Sequence, residues 1–111
     1  MAIVTLVEYL RSNQLPVTIH LNDVSLRNVT IEFFEISDKY LWLFTKEGHE
    51  MKVDISDFTL VDFDATVHKT FTSIEMVRQL RILNEDKPYN AYIRNSKNKV
   101  IASFICIGGK C

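Results

Sequence analysis

The sequence predicts a single α+β domain over residues 1–111: an N-terminal helix on a small, strongly bent β-barrel (1–64), extended by a helix and a β-hairpin (65–111). Three observations carry that expectation. Apolar residues recur at helical spacing at the start of the chain and again around residues 74–81, whereas from Pro16 to Phe63 the period shortens to two. About five short strands follow one another within that middle stretch, a pattern that suits a barrel because closure removes sheet edges; an open meander is the competing arrangement. No repeat, low-complexity tract or Pro/Ser linker divides the chain.

Taken in order, Ile3, Leu6, Val7 and Leu10 stand at i, i+3, i+4 and i+7, and Thr5 and Glu8 have the spacing of a capping box, so a helix is expected to end near Asn13. Pro16 then opens the strands. Val17, Ile19 and Leu21 alternate with Thr18, His20 and Asn22, and Val29, Ile31 and Phe33 alternate with Thr30 and Glu32. Tyr40–Phe44 is apolar on both faces, as in a strand covered on each side by the core and by a partner chain or the C-terminal segment. Lys46-Glu47-Gly48-His49 is a polar turn with glycine available for a positive φ, which makes Tyr40–Thr45 and Glu50–Ile55 a hairpin. Phe58–Phe63 is a further strand. Thr72–Glu75 repeats the capping-box spacing ahead of Ile74, Val77, Leu80 and Arg81, so a second helix is expected to stop before Pro88. Tyr89–Arg94 and Lys99–Ile107 flank the turn Asn95–Asn98, and the apolar character of the second of them makes it a central or buried strand.

Composition narrows function. Thirteen basic against fourteen acidic residues leave a net charge of −1, so no overall field draws in polyanions or acidic lipid. No run approaches the ~20 apolar residues that span a bilayer, and the first residues lack the pattern of a secretory signal, so a cytoplasmic protein with no membrane partner is expected. Two cysteines make no disulfide framework; Cys106 reads as a small buried hydrophobe and Cys111 as a tail residue. His20, His49 and His68 are widely separated and have no neighbours at ligand or triad spacing, so neither a metal, a cofactor nor a catalytic residue is expected. Asp54, Asp57, Asp62 and Asp64 lack the spacing of a calcium loop and alternate with apolar residues, the pattern of an outward strand face.

From about residue 9 to residue 61 the chain sets out a short helix, a first strand Leu15-Pro16-Val17-Thr18-Ile19-His20-Leu21, an aromatic-rich second strand, a third opening at Asp38-Lys39-Tyr40 and a fourth through Met51-Lys52-Val53-Asp54-Ile55-Ser56. In that order the stretch resembles the Sm-like family, whose bacterial branch (Hfq) acts as RNA chaperones. It implies an SH3-type barrel, a homo-oligomeric ring and an RNA or nucleotide ligand. Tyr40 falls where the family stacks an aromatic on a base, and Lys52 on the lysine of its Tyr-Lys-His signature; Lys39 and Arg27 would add contacts. Met51 and Val53 stand at the signature's tyrosine and histidine, so the match is partial.

The leading expectation is therefore a non-enzymatic, oligomeric module that grips RNA or a nucleotide-like anion through Tyr40 and Lys52 near a subunit interface. Arg78 and Arg81 on the second helix mark a secondary basic face. The alternative is a protein-interaction or inhibitor module, of a size carried on mobile elements, that uses the barrel only as scaffold. Tyr40, Trp42 and Phe44 share one strand face in either reading, as core or subunit interface or as a stacking platform.

Overall fold

The computed structural model describes residues 2–21, 24–57, 60–63 and 89–106. Helix α1 spans Ala2–Ser12. Its apolar stripe is fully inside, with Ile3, Leu6, Val7 and Leu10 all at 0% exposure, as the 3.6-residue period requires. The helix stops in a Schellman arrangement: Gln14 takes φ 51°, its N–H donates to Arg11 O at 3.2 Å, and Leu15 N–H reaches back to Leu10 O at 3.1 Å. Leu15 buries its side chain at that corner. Because the helix already runs from Ala2, Thr5 and Glu8 lie inside it and form no capping box. Glu8 instead accepts from the Arg11 guanidinium and the Ser12 hydroxyl.

The strands are β1 (Val17–Leu21), β2 (Val24–Val29), β3 (Ile31–Ser37), β4 (Tyr40–Thr45), β5 (Glu50–Asp54), β6 (Leu60–Phe63), β7 (Tyr89–Arg94) and β8 (Val100–Cys106). They form two antiparallel sheets, one ordered β2-β1-β8-β7-β6 and one ordered β3-β4-β5. The chain changes sheet at Thr30, between the buried Val29 and Ile31. That crossover is held from both sides of the β4–β5 turn: Lys46 N–H donates to Thr30 O at 2.9 Å and Thr30 N–H donates to a Glu47 carboxylate oxygen at 3.0 Å. The turn itself behaves as its composition indicates, with Gly48 at φ 90° and the buried Thr45 hydroxyl accepting from His49 N–H at 3.0 Å.

Leu41, Leu43 and Val53 of the smaller sheet and Ile19, Ile93 and Phe104 of the larger one join the α1 stripe in one core. In β4 and β5 the burial alternates strictly, inward at Leu41, Leu43, Met51 and Val53 and outward at the residues between them.

The fold class differs from the α+β barrel expected. Among the described residues the structure is mostly β with one helix, and its two sheets are open. The expected barrel closes when its last strand, β6, pairs with β1. Here β6 pairs with β7 instead, and the second edge of β1 is taken by β8, with Ile19 opposite Phe104 and Val17 opposite Cys106. The β7–β8 hairpin therefore forms as expected, but it is the middle of the larger sheet rather than an extension. The physical reason is burial: β8 turns Ala102, Phe104 and Cys106 inward at 2% exposure or less, and between β1 and β7 they pack beside the inward residues of both neighbours. The expected second helix, with Arg78 and Arg81, lies outside the described residues. No helix among the described residues is long and apolar enough to cross a membrane.

Candidate functional site

The outer face of the three-stranded sheet is where the structure departs most usefully from expectation. Strand β4 presents Tyr40, Trp42 and Phe44 to that face, and all three are half-buried, while Leu41 and Leu43 behind them are fully buried. The aromatic row is thus neither core nor buried on both sides within this chain. Phe33 of β3, opposite Phe44 in the register, extends it: the two rings stack with centroids 4.4 Å apart and planes 13° from parallel, and Phe33 remains 47% exposed. Tyr40 and Trp42 meet edge to face at 6.3 Å.

Register also decides which charges accompany the rings. Lys52 lies opposite Trp42, and its ammonium sits 4.5 Å from the Tyr40 ring centroid and 5.7 Å from that of Trp42, a cation–π arrangement. Glu35 is opposite Trp42 on the other side, Glu50 opposite Phe44 and Asp54 opposite Tyr40, and all three are exposed. The face is an aromatic centre with a rim of three carboxylates and one ammonium. Hydrogen bonds from the Ser56 hydroxyl and backbone N–H, at 2.6 and 2.8 Å, hold the Asp54 carboxyl below the usual carboxylate range, with Lys39 nearby adding to the effect.

Beside Tyr40 the face opens into a cleft of about 320 Å³ where the two sheets meet. Leu21 of β1 and Ile101 of β8 supply its apolar lining; Tyr40, Lys52, Asp54 and Asp57 bring ring and charge. Ser56 and Asn95 complete the polar rim. Two turns are tied together there, because the Asp57 carboxylate accepts from the Ser96 hydroxyl at 2.7 Å and its N–H at 3.3 Å. Asn95 Oδ1 accepts from the N–H groups of Lys97 and Lys99, both at 3.0 Å, which shapes the second turn. A second groove, about 560 Å³, runs between α1 and Phe34, but its carboxylate, Glu8, is engaged by Arg11 and Ser12.

Of the residues expected from sequence, Tyr40 and Lys52 are brought together. Lys39 sits in the two-residue turn between β3 and β4, where its carbonyl accepts from Ile55 N–H at 2.8 Å, and it does not line the cleft. Arg27 is exposed on β2, the edge of the other sheet, away from both features. Phe33, Asp57 and Asn95 were not legible as site residues, since their roles follow from a bulge-shifted pairing and from two turns about 40 residues apart in sequence. Asp62, read as one of an outward acidic row, instead pairs with Arg94 at 3.3 Å. The described residues hold no group of three or more His, Cys, Asp or Glu arranged for a metal ion. Comparison with protein-family models, with curated proteins and with solved structures finds no match, so the likeness to the Sm-like family rests on its quoted residues alone.

Proposed function

We propose that this protein is a non-enzymatic binding module that docks a basic segment of a protein partner on the outer face of its three-stranded sheet. The observation that carries the reading is the outward row of exposed Phe33 and half-buried Phe44, Trp42 and Tyr40 inside an acidic rim of Glu35, Glu50 and Asp54. Exposed aromatics in a contiguous patch supply binding area at low entropic cost, and a polar rim around an aromatic centre is the anatomy of a protein interface. Charge sets the partner's chemistry. Three carboxylates against one ammonium favour Lys and Arg, and they raise the cost of bringing in a phosphate backbone.

A second reading, a single-stranded RNA or nucleotide ligand, is favoured by one specific observation: the Lys52 ammonium beside the Tyr40 and Trp42 rings, the pairing of cation and stacking surface that such ligands use. In that reading the chain retains the Sm-like role expected from its resemblance, including assembly with further copies of itself.

Trp42 is the sole tryptophan, so its fluorescence reports on this face directly. Titration with an oligo-arginine peptide is expected to change that emission, and Trp42→Phe removes the signal while a labelled peptide still binds. Titration with single-stranded oligouridylate or oligoadenylate is expected to leave it unchanged. An RNA response that collapses with salt and with Lys52→Ala would replace the protein reading with the nucleic-acid one. Silence towards both probes refutes both. Native mass spectrometry adds a third outcome, since a ring-sized oligomer dispersed by Trp42→Ser would place a second copy of this chain on the face.

A further inference from the structure

We infer that the cleft beside Tyr40 is the receptor for one arginine side chain of the partner, its guanidinium held at the Tyr40 rim by the carboxylates of Asp54 and Asp57. This rests on the partner-docking reading above and specifies what that partner must carry.

Four features of the cleft select this occupant. Its volume, about 320 Å³, is at the small end of ligand sites, which run to ~1,000 Å³; it suits a side chain better than a whole cofactor. Among the described residues its charged lining is Lys52, Asp54 and Asp57, two negative charges to one positive, which favours a cation over a phosphate. The apolar wall of Leu21 and Ile101 matches the methylene stem of a long basic side chain, whose charged head stays at the polar mouth. Finally, the acceptors are set before the ligand arrives: Ser56 orients Asp54, and Ser96 orients Asp57 across the two turns, which lowers the ordering cost of binding.

Arginine fits these features better than lysine. A guanidinium offers planar donors to two separated carboxylates at once and lies against an aromatic ring, whereas an ammonium is a strongly hydrated point charge. Lys52 has an informative place in this arrangement. Its ammonium rests over Tyr40 at 4.5 Å, so it is a like charge beside the incoming guanidinium and weakens it. Removing that charge must strengthen arginine binding, whereas the same change must weaken binding of any phosphate-bearing ligand.

The test is an amide chemical-shift titration of the full-length chain with N-acetyl-arginine methylamide and, separately, the neutral isostere N-acetyl-citrulline methylamide, each up to about 10 mM, well above a millimolar Kd. The arginine probe is expected to shift Ser56, Asp57 and Asn95, and the citrulline probe to leave them in place. Asp54→Asn with Asp57→Asn keeps the acceptors for Ser56 and Ser96 while removing both charges, and binding is expected to weaken roughly fivefold or more. Lys52→Met is expected to tighten it about twofold to fivefold. Equal shifts with citrulline, no shift with arginine, or weaker binding in Lys52→Met overturns the inference. If oligo-arginine still alters Trp42 emission in the doubly amidated variant while the arginine probe is silent, the docking face stands and the cleft assignment falls; if both are silent, both fall.

Discussion

Phe104→Ala tests the feature on which the whole architecture turns, the central place of β8. Phe104 is fully buried and lies opposite Ile19 on one side and Ala91 on the other, so its ring is enclosed by two strands of the sheet and by the core beyond them. Truncating a fully buried phenylalanine removes its transfer free energy and leaves a cavity that the flanking strands cannot collapse to fill, a cost of about 3–5 kcal/mol. Against a total stability of about 5–10 kcal/mol for a domain of this size, that is about a third of the fold or more. With an m-value of about 1–1.5 kcal/mol per molar urea, the unfolding midpoint should fall by about 3 M. Should the alanine variant be unfolded in buffer, Phe104→Leu supplies a measurable step of about 1–1.5 kcal/mol. Val100→Ala at the exposed start of the same strand is the reference and should cost under about 1 kcal/mol. Equilibrium urea unfolding followed by circular dichroism reads all three. A loss below about 1 kcal/mol for Phe104→Ala would mean that β8 is peripheral, and the open five-stranded sheet would be wrong.

Two further outcomes follow from the β4–β5 turn and its contact with the crossover. Gly48 has open space around it but a φ of 90°, so Gly48→Ala should cost about 1 kcal/mol through backbone strain alone, read as a lower melting temperature with an unchanged spectrum; a neutral or stabilising change would contradict the turn conformation. Glu47 has its carboxyl held below the ordinary value chiefly by the Thr30 N–H, so its stabilising contribution is present above the unfolded-state pKa and is lost as pH falls through the folded one. Glu47→Gln should therefore lower stability modestly at neutral pH and leave it unchanged at acid pH, which flattens the acid limb of the profile; an identical acid limb in both proteins would remove the Thr30 contact from the account.

Much of the local structure was legible in the residues. The helical spacing of Ile3, Leu6, Val7 and Leu10 identified α1 and its buried side, and the twofold alternation of β1 identified its inward residues, because both periods are fixed by backbone geometry. In β4, apolar on both faces, the inward side was not legible. Gly48 in a polar turn between two apolar runs marked the hairpin. The closeness of Lys52 to Tyr40, one pair along from its partner Trp42, was also within reach, since a short hairpin fixes its own register. Strand partnership across the chain was not. Nothing in Val17–Leu21 states whether its free edge meets β6, which would close a barrel, or β8 some 85 residues later, because backbone donors and acceptors are alike in every strand. That choice is made by which arrangement buries Phe104 and Cys106 beside Val17 and Ile19, a property of the assembled core. The exposure of the aromatic row and the meeting of Asp54 with Asp57 and Asn95 at one cleft follow from it. The sequence determined that α1 is helical and that β1, β4, β5, β7 and β8 are extended; only the tertiary structure decided which edges meet and which face of β4 turns inward, because that depends on burial summed over distant segments.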